Sequence, residues 1–321
     1  MEKEKCNKSR ILYLDYTRGL AILLVIIGHL IQFNFLSGIN NRLFDIIYSF
    51  HMPLFFFISG YARSINNKKS STIFELLKTV YHKFQALIIP SVVWTLVIPH
   101  FFSYKYDFII TEISSYWFLN VLFAIVVVWE FFLYLECKRS LSKYLHVTMI
   151  IGIIVLFVLD VKRIPITYFL MYIIGYYFQK YNCLMKLKPI VYSLLFLIFC
   201  LLSGFFDYGD TAFGDANRVW LQFPLSICAS LALLKFFSMY EGSKFKVFNV
   251  LGMIGRYTLG IYLCHFVLIN ISFVSYIENE YNLFIQFCGL LFLSFCISLL
   301  CIGIQKIVEA YPFLHKIMYG K

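Results

Sequence analysis

The run Tyr13-Leu-Asp-Tyr-Thr-Arg-Gly-Leu-Ala-Ile-Leu-Leu-Val-Ile-Ile-Gly-His29 is apolar enough to enter a bilayer, yet it carries Asp15, Arg18 and His29. Ten residues separate Arg18 from His29. Eleven steps of about 100° close roughly three helical turns, so both side chains fall on one stripe, about 16 Å apart along the axis. Asp15 and Gln32 join that stripe. An ionisable residue inside hydrocarbon costs at least a few kcal/mol, so it faces a polar cavity or a partner and marks a functional site. The plainer reading has Arg18 snorkelling to the headgroups and His29 serving as a hydrogen-bonded packing residue.

The rest of the chain extends the same pattern. Of its 321 residues 61% are hydrophobic, 20% aromatic and only 14% charged, a mix far from that of a soluble domain. Apolar runs recur with short polar loops between them, which predicts an all-α, polytopic transmembrane helix bundle. About ten spans are expected, near residues 19–36, 46–62, 84–102, 116–136, 145–160, 165–179, 189–206, 218–238, 255–276 and 283–305. With the amino terminus inside, all but Arg42, Lys105, Lys162, Arg163 and Arg218 of the 28 basic residues fall on or near the cytoplasmic side. That asymmetry supports an even number of spans and cytoplasmic placement of both termini.

The net charge of +11 therefore describes topology and contact with anionic lipid headgroups, and gives no reason to invoke nucleic acid. None of the nine cysteines falls in a predicted external loop, so no disulfide framework is expected, and no spacing suggests a metal site. The first apolar run is expected to remain as a span rather than be cleaved as a signal peptide, since it holds Arg18 and His29.

The opening run, with Arg, ten residues, then His, resembles the acyltransferase family 3 of multi-pass membrane proteins. Four further stretches resemble that family in order: Phe50-His-Met-Pro-Leu-Phe-Phe-Phe-Ile-Ser-Gly-Tyr61, Trp117-Phe-Leu-Asn120, Gly175-Tyr-Tyr177 and Gly255-Arg-Tyr-Thr-Leu-Gly-Ile-Tyr-Leu-Cys-His265. The resemblance implies transfer of an acyl group, usually acetyl from acetyl-CoA, to a hydroxyl of a cell-surface glycan or lipid-linked sugar, in the cytoplasmic (inner) membrane. Acetyl-CoA then enters as donor substrate, with no permanently bound cofactor. On this reading residues 1–321 form a single membrane acyltransferase domain with short cytoplasmic tails at 1–14 and 308–321.

The residues suit that chemistry. An alcohol needs a base, and an imidazole with an unperturbed pKa of about 6.5 is well matched, which assigns His29. Guanidinium forks bind phosphate bidentately, which assigns Arg18 to the donor, with Asp15 fixing its orientation through an i, i+3 pair and completing the catalytic set. The cytoplasmic loop from Arg63 to Lys83 adds basic residues for the CoA phosphates, although positive-inside topology alone predicts such a loop. The family's paired basic residues before Leu-Ile-Pro are reduced here to Lys83, with Ala86 in the second position.

Ser59-Gly60 permits close helix approach, and Pro53 frees a carbonyl that can line a cavity. Ser59, Trp117, Asn120, Tyr262 and His265 are expected to face the acceptor cavity. Arg256 lies about 180° around a straight helix from His265, so those two are not expected to act together. His51 reads as an interfacial polar residue, and Glu130 as either protonated packing or a cavity group.

A second reading makes the protein an exporter of a glycan or small anion, with the same polar residues lining a path. Transporters often show internal repeats, and none is evident here. The acceptor's identity is beyond the sequence. Topology is directly testable: in a cysteine-free background, single cysteines at Asn41 and Asp210 should label with an impermeant reagent added outside, and one at Asn67 should not. The reverse pattern would invert the assignment.

Overall fold

A computed structural model describes residues 10–35, 40–66, 68–101, 116–138, 166–208, 220–269 and 282–320, with a few single positions between. Every regular element among them is helical. They are α1 (Leu12–Asn34), α2 (Arg42–Tyr48), α3 (His51–Ile65), α4 (Ile73–Phe101), α5 (Trp117–Lys138), α6 (Ile166–Lys180) and α7 (Cys183–Lys186). There follow α8 (Pro189–Leu202), closed by a 3-10 turn, then α9 (Gln222–Met239), α10 (Lys246–Arg256), α11 (Thr258–Leu268), α12 (Leu283–Glu309) and α13 (Pro312–Tyr319).

Among the described residues five helical segments are long and apolar enough to cross a membrane, six if the bent pair α10–α11 counts as one. The predicted span at 145–160 lies almost wholly outside the described residues. Two irregularities mark the predicted spans. The run 46–62 is interrupted at Ser49-Phe50 between α2 and α3 within one apolar segment, Arg42–Ile65, and the chain bends by 83° between α10 and α11, at the start of the span predicted at 255–276. The expected loop from 63 to 83 is also shorter than the sequence suggested, because α4 begins at Ile73 and carries Lys83 on a helix.

α1 is the central helix. Of its most apolar window 83% is buried inside the protein, against 33% for α12. Two close crossings fix its surroundings. A Cβ on Gly19 would strike the backbone carbonyl of Leu251, and one on Gly255 that of Asp15, so α1 and α10 touch backbone to backbone. A Cβ on Gly60 would strike the carbonyl of Tyr172, and one on Gly175 that of Phe57, which joins α3 to α6 in the same way. In an apolar medium helices gain from such contact through dispersion, and small residues make it possible. The expectation that Ser59-Gly60 allows close approach is met, and Gly175 is its counterpart on α6.

The bundle has two distinct ends. At one, the first amide of α1 (Leu12 N) donates to Glu241 Oε1 at 2.9 Å, just beyond α9, and Lys69 at the foot of α3 pairs with Glu136 near the end of α5 at 2.9 Å. At the other end Asn34 on α1 donates to the carbonyl of Ile269 after α11 at 3.0 Å. There the Arg42 guanidinium donates to the carbonyls of Ser203 and Phe206 at 2.6 and 2.8 Å, supplying donors to the frayed end of α8.

The crossings give a sharp test. Gly60→Ala or Gly175→Ala should destabilise the protein by about 1–3 kcal/mol through overpacking. Gly289→Ala, where nothing lies within 4 Å of the new Cβ, should be neutral or slightly stabilising. Thermal melting in detergent would read both, and equal effects at the two classes of position would refute the crossing argument.

Candidate active site

The stripe read from the sequence carries two different environments on α1. Near its start Asp15 is buried, with its side chain 3% exposed, and it pairs with both Arg10 and Arg18. The Arg18 Nη1 to Asp15 Oδ1 distance is 3.5 Å, the i, i+3 contact that the spacing predicts, while Arg10 is the closer partner through two hydrogen bonds. These three side chains line a pocket of about 290 Å³, completed by Ile11 and Leu14 of the α1 end and by Ala62, Ile65 and Asn66 at the end of α3. Two guanidinium groups against one carboxylate leave this pocket suited to an anion.

By helical rise Asp15 stands about 21 Å from His29, so Asp15 serves the arginine end and makes no contact with the imidazole. Arg63 does not line the pocket either. Its guanidinium forks onto Glu130 of α5, with Nη2 at 2.9 Å from Oε2, and also donates to the carbonyls of Asn66 and Lys68, closing the end of α3. This answers the question left open by the sequence for Glu130: it is the buried partner of Arg63, with side chains 2% and 11% exposed. Lys83 is exposed on α4 and lies outside the pocket lining.

The far end of the stripe is an imidazole site. His29 is partly exposed, and its Nδ1 lies 3.3 Å from Gln32 Oε1, one helical turn on. Tyr48, at the end of α2, donates its hydroxyl to that same oxygen at 3.3 Å. From α11 come His265, with its ring centroid 5.5 Å from that of His29, and Phe266 at 4.8 Å. His265 is fully buried. Its Nδ1 donates to the carbonyl of Ile261 at 3.1 Å and its Nε2 has no hydrogen-bond partner among the described residues. A buried orphan acceptor is costly and calls for a functional or solvent explanation.

The sequence placed His265 toward the cavity, and the structure does set it beside His29. The phase argument that separated it from Arg256 assumed one straight helix, and the 83° bend removes that premise. His51 departs from its interfacial reading: at 2% exposure it is buried, donating Nδ1 to Ile47 O at 2.8 Å with its ring 4.5 Å from Tyr48.

The remaining sequence candidates divide. Tyr262 is buried with its ring 5.7 Å from His265, so it belongs to the imidazole site. Trp117 opens α5, as its position in the motif suggests, and packs on Tyr168 at 5.4 Å, while Asn120 is exposed. Ser59 donates to the carbonyl of Phe55 at 2.7 Å beside the α3–α6 crossing, a local bond that leaves it structural in this arrangement. Gln32, Tyr48 and His51 complete the site. The signal for the last two was Pro53, which belongs in the first turn of a helix and therefore implied a break just before His51. Among the described residues no group of three or more His, Cys, Asp or Glu is placed to hold a metal.

A helical membrane protein with an arginine-lined pocket and an imidazole on one buried helix, and a second imidazole set beside the first from α11, is the class that fold and site define. A family profile described as an acyltransferase domain matches residues 11–303, and the chain belongs to that family. Among curated proteins it is similar to nodulation protein NolL of Sinorhizobium fredii, 25% identical over 244 residues covering 68% of this chain and 64% of the relative. It is likewise similar to nodulation protein NolL of Mesorhizobium japonicum, 25% identical over 359 aligned positions covering 98% of this chain and 91% of the relative. The chain thus spans just under two thirds of the first relative's length. No solved structure matches it.

The Arg63–Glu130 pair separates structure from donor binding. Arg63→Met alone should cost about 3–5 kcal/mol by leaving a buried carboxylate unpaired, and Arg63→Met with Glu130→Leu should regain most of it. Melting temperature reads this directly. Retained acetyl-CoA affinity in the double variant would remove Arg63 from the donor site, and lost affinity would return it there.

Proposed function

We propose that this acyltransferase moves an acetyl group from acetyl-CoA to a hydroxyl of a cell-surface polysaccharide or lipid-linked sugar, with His29 as general base. The protein would lie in the cytoplasmic (inner) membrane with about ten spans and both termini inside. The observation that carries the reading is the pairing, on one buried helix, of an anion-suited pocket at Arg10, Asp15 and Arg18 with a partly exposed imidazole about three turns away. CoA presents phosphates at one end and a thioester at the end of its extended pantetheine arm. The arginine end suits the former and His29 the latter.

In the reaction the acceptor hydroxyl gives its proton to the imidazole as its oxygen attacks the thioester carbonyl. The carbon–sulfur bond breaks, and the departing thiolate takes that proton, so the base is restored and no co-reactant is consumed. Arg18 holds the phosphates with Asp15 orienting its fork. His265, Tyr262 and Phe266 form the wall against which the acceptor is set. Broken helices alone would also suit a transport path, but membership of an acyltransferase family weighs for chemistry over passage.

The test uses the full chain in lipid nanodiscs, radiolabelled acetyl-CoA, and a glycan fraction from cells lacking the protein. His29→Gln keeps hydrogen bonding without a useful basic nitrogen, so transfer should fall at least a hundredfold while acetyl-CoA affinity holds. Arg18→Lys should weaken acetyl-CoA binding and leave the fold intact. Near wild-type transfer by His29→Gln would overturn the mechanism.

A further inference from the structure

We infer that Gln32 and Tyr48 form a positioning pair that fixes which nitrogen of His29 acts as the base; this rests on the reading of His29 given above. The carbonyl oxygen of an amide can only accept a hydrogen bond. Gln32 Oε1 faces His29 Nδ1 at 3.3 Å, so that bond requires the proton to sit on Nδ1 and leaves the lone pair on Nε2. A histidine tautomer is set in this way by whatever its other nitrogen touches.

Tyr48 biases the amide against turning over to present its NH2 instead. The tyrosine hydroxyl donates to the same Oε1 at 3.3 Å. Turning the amide would make the hydroxyl an acceptor of the amide N–H and take the Gln32 oxygen away from the hydroxyl's own proton.

Tyr48 is itself held from several directions. Its ring stacks on Phe44 with centroids 3.7 Å apart, meets Tyr208 edge-on at 5.0 Å, and lies against Gly28, where a Cβ would come within 2.6 Å of it. Its carbonyl accepts from Gln222 Nε2 at 2.8 Å. The fixed chain therefore runs from α9 through Tyr48 and Gln32 to His29. The groups with ionisable protons that face this site are His265 from α11, His51 from α3 and Tyr48 from α2. Among the described residues no ion pair includes His29.

An amide partner differs from a carboxylate in what it does to the protonated ring. A carboxylate would hold the imidazolium as an ion pair, whereas the amide orients the ring without trapping the charge. That suits a base which must hand its proton on to a thiolate.

The test reads the tautomer as well as the rate. Full-length protein labelled with 15N-histidine is examined by NMR in nanodiscs, with the His29 signals assigned by their loss in His29→Gln. Wild type should show the Nδ1–H tautomer. Gln32→Leu should shift His29 toward Nε2–H and lower kcat about ten- to a hundredfold with KM for acetyl-CoA unchanged. Gln32→Glu keeps an accepting oxygen, so it should retain the Nδ1–H form and recover activity at raised pH, its carboxylate having moved the rising limb of the rate profile upward. Tyr48→Phe removes only the hydroxyl and should produce a smaller shift of the same kind.

If His29→Gln is inactive while Gln32→Leu keeps both the wild-type tautomer and rate, the positioning pair is refuted and the base stands. If His29→Gln is active, the base itself is refuted. An Nε2–H signal in the wild type overturns the positioning pair on its own.

Discussion

Where α2 gives way to α3, the carbonyls of Tyr48 and Ser49 are taken by the side chains of Gln222 and Ser226 on α9, each at 2.8 Å. Pro53, lacking an N–H, cannot reach back to Ser49, and in an apolar medium an unpaired carbonyl costs several kcal/mol. The two hydrogen bonds from α9 are what make the break tolerable. Just before it, Tyr48 at the end of α2 meets Gln32 of α1. The polar groups of α9 thus act at a distance on the imidazole, through the backbone they satisfy.

The second bend works with the first. Gly255 and Gly19 bring α10 onto the backbone of α1, and the 83° turn after Arg256 then sends α11 inward with His265 and Phe266 on its α1 side. Tyr48 beside the first irregularity and His265 after the second both reach the His29 site. Irregular backbone at membrane depth is found where it is buried in protein or lines a cavity. Here it supplies α2 and α11, whose side chains meet Gln32 and His29.

Much of this was legible in the sequence, though unevenly. The Arg18–His29 stripe, the Asp15–Arg18 contact, the close approach at Gly60 and the start of α5 at Trp117 follow from periodicity, charge and small-residue spacing, which are local properties. The breaks were harder to see, because hydropathy runs smoothly across Ser49-Phe50 and across Tyr257, and only Pro53 marked the first. The partner of Glu130 was invisible for another reason. Arg63 lies 67 residues away, and basic residues at helix ends are predicted by topology whether or not one of them is claimed by a buried carboxylate. His51 was misplaced because a histidine near a span end resembles an interfacial residue until the neighbouring helices that cover it are known.

The division of α1 into a charged end and an imidazole end follows from what each environment permits. Near the arginine end, Arg10 is more than half exposed and Arg18 about a third, so their charges keep contact with solvent while both pair with the buried Asp15. Deeper along the helix, any unpaired charge loses its hydration without replacement. The groups found there are accordingly imidazoles, an amide and phenols, each able to hydrogen-bond while uncharged. If His29 is the base proposed above, a carboxylate partner would leave it carrying a buried ion pair through every cycle. An amide that accepts from both the imidazole and Tyr48 would, on that proposal, orient the ring and leave it free to take a proton and release it.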